Sequence, residues 1–186
     1  LVLTRMIQHS SDATTRSMLE NMTPEFFFQE HDLAKLKKHQ QILFYYLRKA
    51  FTLQYKKDGD ALYKPKYNAN GVFVHAYEYA CDISDFVFQS IFPLEQNHYW
   101  FDCLTEKAHT AKACIQHLTN IKTELLQDLE RNPHIHAFNN GVFVTSLNEF
   151  YYFAKVPGKR HIQELEGNVN AIKYHNMDFD EEGMER

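Results

Sequence analysis

The chain is poor in residues that staple or break a backbone: its 186 residues include three cysteines, five prolines and six glycines. Cys81, Cys103 and Cys114 are unevenly spaced, so they make no disulfide framework and fit a reducing compartment, as small buried thiols. No run approaches the roughly 20 apolar residues that cross a bilayer. The opening LVLTRMIQHS lacks the long apolar core of a secretion signal, so a soluble protein without membrane partners is expected. Glycine is too sparse for a phosphate cradle. The pattern G-x-x-x-x-G-K-[ST] is absent, and the single Gly-Lys pair, Gly158-Lys159, is followed by Arg160. Nothing here holds a triphosphate, and no catalytic residues or cofactor are assigned.

What is present is 44% apolar and 15% aromatic, enough for one globular core and one domain. The net charge of -4 conceals a polarity. Residues 32–67 hold nine bases (Lys35, Lys37, Lys38, Arg48, Lys49, Lys56, Lys57, Lys64, Lys66) against three acids, a local +6, and residues 162–186 hold seven acids against Lys173 and Arg186, a local -5. Such polarity points to a polyanion partner at one end and a solvated linker at the other, or to two ordinary solvent-facing surfaces. The chain begins without methionine and stops on DFDEEGMER, and it reads as a piece of something longer.

Residues 1–22 are polar and aperiodic, a loose lead-in. Thr23-Pro24-Glu25 looks like a helix start. Leu33, Leu36, Leu43, Phe44, Leu47 and Phe51 then recur at helical spacing, predicting an amphipathic helix over about 32–54 with Lys35, Lys38 and Lys49 off its seam. ALYKPKY and VFVHAYEY flank Asn68-Ala69-Asn70-Gly71 as a β-hairpin, and Pro65 places the first strand at a sheet edge. A helix follows from Asp82 through Ile83, Phe86, Val87 and Ile91 to Pro93. A longer one runs from Thr105 through Leu118, Leu125 and Leu129 to Pro133, with a possible break at Thr119-Asn120. HIHAFNNGVFVTSLNEFYYFA reads as three strands, with turns at Asn139-Asn140-Gly141 and Leu147-Asn148, and nothing strong is expected beyond Val156-Pro157-Gly158. The fold expected is α+β, a predominantly helical single domain with two small β-hairpin or meander units, spanning 23–161 and followed by an acidic linker over 162–186.

NGVFV occurs at 70–74 and again at 140–144. The flanks share little, so the copies are not a repeat. They are expected to be two Asn-Gly turns, each with glycine at positive φ, followed by half-buried strands.

Lysines interleaved with Tyr45, Tyr46, Tyr55, Tyr63 and Tyr67 are what a nucleic-acid surface uses, since ammonium groups release counterions from phosphate and ring faces stack on bases. A solvated helix flank with buried tyrosines is the alternative. Among eleven histidines, His134-x-His136 shares a strand face, and Cys114-x-x-His117 shares a helix face with Cys103 and His109 nearby. No Cys-x-x-Cys pair accompanies them, so no metal is assigned.

Leu129, Asn132, Pro133, Ala137, Phe138, Asn140, Gly141, Val142 and Phe143 together resemble the "L-x-x-N-P-x-x-x-A-F-x-N-G-V-Y/F" stretch of the primase-helicases of large cytoplasmic DNA viruses, the poxvirus and asfarvirus relatives. AYEYACDISDFVFQSIFP and WFDCLT also resemble the asfarvirus branch. The family often has an acid where this chain has Val144. The resemblance implies the non-catalytic domain that joins primase to superfamily-three helicase. Phe138, Asn140 and Gly141 are its structural signature, and the ATP-dependent motors lie outside this segment. It further implies single-stranded or forked DNA as partner, and the basic run supplies the expected contacts, Lys35, Lys38, Lys49, Lys56, Lys57, Lys64 and Lys66. Neighbouring primase and helicase domains, a hexameric parent and viral replication sites in the host cytoplasm complete the expectation. A free-standing nucleic-acid or protein interaction module is the alternative, and a small metal-dependent enzyme using the histidines is a third.

Overall fold

A computed structural model describes residues 36–91 and 98–180. The lead-in, the start at Thr23-Pro24-Glu25, Lys35 and Pro93 lie outside these residues. Among them are four α-helices, α1 (Lys38–Thr52), α2 (Ile83–Gln89), α3 (His98–Thr105) and α4 (Thr110–Asn120). There are seven strands, β1 (Lys56–Asp58), β2 (Ala61–Tyr67), β3 (Phe73–Asp82), β4 (Asn132–Ala137), β5 (Gly141–Val144), β6 (Glu149–Tyr152) and β7 (Ala171–Tyr174). The chain is therefore mixed α/β, not predominantly helical. It folds as two compact units, one drawn from Leu1–Leu62 and Ala80–Asp128, the other from Tyr63–Tyr79 and Leu129–Arg186.

The first unit is helical. In α1 the buried positions are Gln41, Ile42, Tyr45, Tyr46, Leu47 and Ala50, whereas Phe44 is exposed and Leu43 only half-buried. The inward face is thus rotated from the predicted seam, because the two tyrosines pack inward. The Tyr46 hydroxyl donates to the Val87 carbonyl at 2.7 Å and that of Tyr45 to the Ser90 carbonyl at 3.4 Å. A buried ring whose hydroxyl has an acceptor contributes apolar area without leaving a polar group unsatisfied. Trp100 of α3 stacks on Tyr45 at 4.6 Å, and α4 brings Cys114 and Leu118 to the same core. The helix expected from Thr105 to Pro133 stops at the break foreseen at Thr119-Asn120, where α4 ends; its start and its continuation to Pro133 are corrected. Thr105 ends α3, and beyond Asn120 the chain is irregular, stitched by Lys57 N–H to the Gln127 carbonyl at 2.9 Å. Leu129 of the predicted stripe is buried and Leu125 partly so, with Leu126 between them fully buried, so apolar spacing persists there without a helix.

The hairpin β2–β3 exists as expected. Gly71 has φ +74, its N–H donates to the Asn68 carbonyl, and Asn68 Oδ1 accepts from the N–H groups of Asn70 and Val72, each at 3.0 Å. β2 is the middle strand of the order β1-β2-β3, not the edge that Pro65 implied. β1 has three residues and turns tightly through Gly59 and Asp60, so it runs beside the start of β2 and leaves Pro65 without a ladder partner on that side.

The second unit centres on a four-stranded sheet ordered β6-β5-β4-β7, antiparallel except for β4 with β7. One face carries Ile135, Ala137, Val142, Tyr151 and Ala171, packed with Val74 and Ala76 of the hairpin. The other is an aromatic layer. His136 lies opposite Phe143, and Phe143 opposite Phe150. Phe179 stacks over this row, 4.3 Å from Phe150 and 5.3 Å from Phe143. The stretch from 162, expected as a linker, therefore holds β7 and the aromatic cover of the sheet.

Candidate nucleic-acid interface

Seven lysines are expected at phosphates. Lys35 is outside the described residues, and the others divide between the units. In the first unit, Lys38 Nζ lies 3.6 Å from Glu106, and Lys49 Nζ 3.4 Å from the Ser90 carbonyl. Lys56 is half-buried. Lys57 departs furthest from expectation: its side chain is 4% exposed, and its ammonium donates to the Thr119 carbonyl at 2.6 Å with Asp128 at 3.5 Å. It is a structural cation that closes the end of α4, because a buried ammonium must be paired to be tolerated. Tyr45 and Tyr46 cannot stack on bases either, since both are in the core. Burial pushes the Tyr45 phenol up to about 12.

In the second unit, Lys64 and Lys66 of β2 do come together. Glu78 of β3 lies between them, one oxygen 3.2 Å from Lys64 Nζ and the other 3.3 Å from Lys66 Nζ. The hydrogen bond from Lys64 is the main cause that holds the Glu78 carboxyl below its usual range, with Lys66 adding to it. Two lysines and one ionised carboxylate leave a local surplus of one positive charge.

On the opposite face of the ribbon, alternating with this triad along β2 and β3, the hairpin carries an aromatic array that was only partly legible from Tyr63 and Tyr67. Tyr63 meets Tyr79 edge-on at 6.1 Å, Tyr67 meets Phe73 at 5.9 Å, and Phe73 meets Tyr77 at 5.6 Å. Tyr79 is 55% exposed and Tyr67 41%. The Arg131 guanidinium sits 4.7 Å from the centre of the Tyr63 ring, and Lys66 Nζ 4.7 Å from that of Tyr174. Cations over ring faces and half-exposed rings on one ribbon suit a ligand with flat faces and negative charge. Arg131, Tyr79 and Phe73 escaped the sequence reading. Arg131 is distant in the chain, and alternation along β3 identifies the strand rather than its ligands.

The structural signature residues have internal tasks. Phe138 stacks on His175 at 4.8 Å, Asn140 is bonded to the backbone of Phe179, and Gly141 is already in β5, paired with Tyr152. Gly141 does not have positive φ, which corrects the expected turn geometry. Its requirement is space: a Cβ there would run into the Tyr151 carbonyl and lie 2.6 Å from the Phe150 ring. The two NGVFV copies thus use glycine for different reasons.

The cysteines offer no nucleophile. All three are free, burial pushes Cys114 up to about 12, and burial also raises Cys81 and Cys103. No helix among the described residues is long and apolar enough to cross a membrane.

No family model matches the chain. No curated protein and no solved structure matches it significantly.

Proposed function

We propose that this chain is a non-catalytic nucleic-acid-holding segment, the linking domain of a viral replicative primase-helicase of the poxvirus and asfarvirus type. Its partners in this reading are single-stranded or forked DNA, adjoining primase and helicase domains, and other copies in a hexameric ring, at replication sites in the host cytoplasm. The resemblance around Phe138, Asn140 and Gly141 supports the family. The observation that carries DNA holding is the aromatic face of the hairpin, where the Arg131 guanidinium covers Tyr63 and Tyr63 meets the exposed Tyr79; Lys64 and Lys66 alternate with these rings and project from the other face of β2. Rings stack on unpaired bases of any sequence, and the cations meet phosphate.

The test is anisotropy of labelled single-stranded and forked DNA across a salt series, with Tyr79→Ala, Arg131→Ala and the pair Lys64→Gln, Lys66→Gln. Loss of one stacked base costs about 1–3 kcal/mol, so Tyr79→Ala should weaken binding by roughly 5- to 150-fold. The double lysine variant should flatten the log–log salt slope by about 0.7 for each phosphate that is no longer neutralised. Wild-type protein that binds neither DNA, or Tyr79→Ala that binds as wild type, overturns the reading. The second reading, a protein interaction module, is favoured by Glu78, which already neutralises half of the lysine pair.

A further inference from the structure

The strand pattern sets His136 on one face with His134, two residues away. The structure pairs it instead with His175, just past β7. His136 Nδ1 and His175 Nε2 lie 3.3 Å apart, with the ring planes 27° from parallel. Both backbones are fixed. His136 is in register with Phe143 on one side and Lys173 on the other, and the His175 N–H donates to the Ala137 carbonyl at 2.8 Å. Phe138 lies against the His175 ring at 4.8 Å and 14°, which limits its rotation.

A separation of 3.3 Å is long for an N–H hydrogen bond, whose usual length is about 2.9–3.0 Å. It does equal the edge of a tetrahedron whose centre is about 2.0–2.1 Å from each corner, the zinc–imidazole distance. We propose that His136 Nδ1 and His175 Nε2 bind a divalent transition-metal ion of the zinc, copper and nickel class, with water in the remaining positions. No third His, Cys, Asp or Glu joins the pair among the described residues, so the protein supplies two nitrogens and the ion exchanges readily. Imidazole donors favour copper over zinc and nickel. The ion staples the segment after β7 to β4, from the strand preceding the Phe138 turn. Lys173, in register with His136, is the nearby positive charge that opposes the ion.

Chelator-treated protein is titrated with zinc and with copper by calorimetry and thermal melting, using His136→Gln, His175→Gln, His134→Gln and Lys173→Gln. Wild type and His134→Gln should bind one ion per chain at this site and melt higher with metal. His136→Gln and His175→Gln should lose about tenfold or more in affinity, and Lys173→Gln should gain. His136 is on a strand whose backbone pairing does not depend on its ring, so the folded His136→Gln variant keeps the test valid if His175→Gln unfolds. No binding by wild type, equal affinity in His136→Gln, or unchanged affinity in Lys173→Gln each overturns the assignment. In those outcomes the pair is a shared-proton contact, or the metal sits on other histidines.

Discussion

Asn140 and Phe179 exchange two hydrogen bonds. Asn140 Nδ2 donates to the Phe179 carbonyl at 3.0 Å, and the Phe179 N–H donates to Asn140 Oδ1 at 2.9 Å. A side-chain amide here does what a neighbouring strand would do, and it holds the Phe179 ring on Phe150 and Phe143. Asn140→Ala should cost about 1–3 kcal/mol, since two partners are left wanting in a half-buried place. Urea denaturation checks this. Asn140→Asp retains the acceptor and loses the donor, so it should fall between the two.

Gly141→Ala should be far more damaging than Gly158→Ala. The first puts a Cβ into backbone and ring, whereas Gly158 has φ +74 with open space around it. The cost at Gly158 is that of an L-residue in the left-handed region, about 1–2 kcal/mol. Thermal midpoints of the two variants, measured side by side, decide the order, and a reversed order would show that the sheet yields at Gly141.

Lys57 and Lys38 should differ sharply in what a change of charge costs. Lys57→Met removes the donor to the Thr119 carbonyl and should cost about 1–3 kcal/mol, while Lys57→Glu should prevent folding of the helical unit. Lys38→Glu, at an exposed pair with Glu106, should change stability by less than about 1 kcal/mol. Circular dichroism during chemical denaturation separates them. Replacing all the lysines as one set would therefore confuse unfolding with weakened DNA binding.

Stability should fall on mild acidification, partly through His75. Burial holds its pKa below the ordinary value of 6.5, so the unfolded chain binds the proton more tightly than the folded one. The neutral ring is accommodated above about pH 6.5, and stability is lost as pH drops below that, down to the depressed folded value. His75→Gln should reduce the slope of unfolding free energy below about pH 6.5. An unchanged slope would assign the acid sensitivity to other groups.

The sequence revealed elements where local chemistry dominates. The hairpin at Asn68, the helix after Asp82 and the three strands through HIHAFNNGVFVTSLNEFYYFA all follow from turn residues and alternation. It failed where distant partners decide. Tyr45 and Tyr46 point inward because Ser90 and Val87 offer carbonyls, which periodicity within α1 cannot reveal. β7 is four residues whose partner, β4, lies far upstream, so it carried no local signal. α3 is short and its buried Trp100, Cys103 and Leu104 make a weak period. For the candidate site, the tyrosines and lysines of β2 were legible, whereas Glu78 between the lysines and Arg131 over Tyr63 arise only from the fold.

The two units share the chain by turns: it passes from one to the other at 62–63, 79–80 and 128–129. During synthesis the hairpin strip of the second unit is made before the first unit is complete, and long before the β4 to β7 sheet that buries Val74 and Ala76. That strip must wait, its apolar side chains exposed, until β7 (Ala171–Tyr174) has left the ribosome and completed the sheet. No single cut isolates either unit, so a nascent chain or fragment ending between Asp128 and Tyr174 carries an orphaned hairpin and is the form most exposed to aggregation and to chaperones.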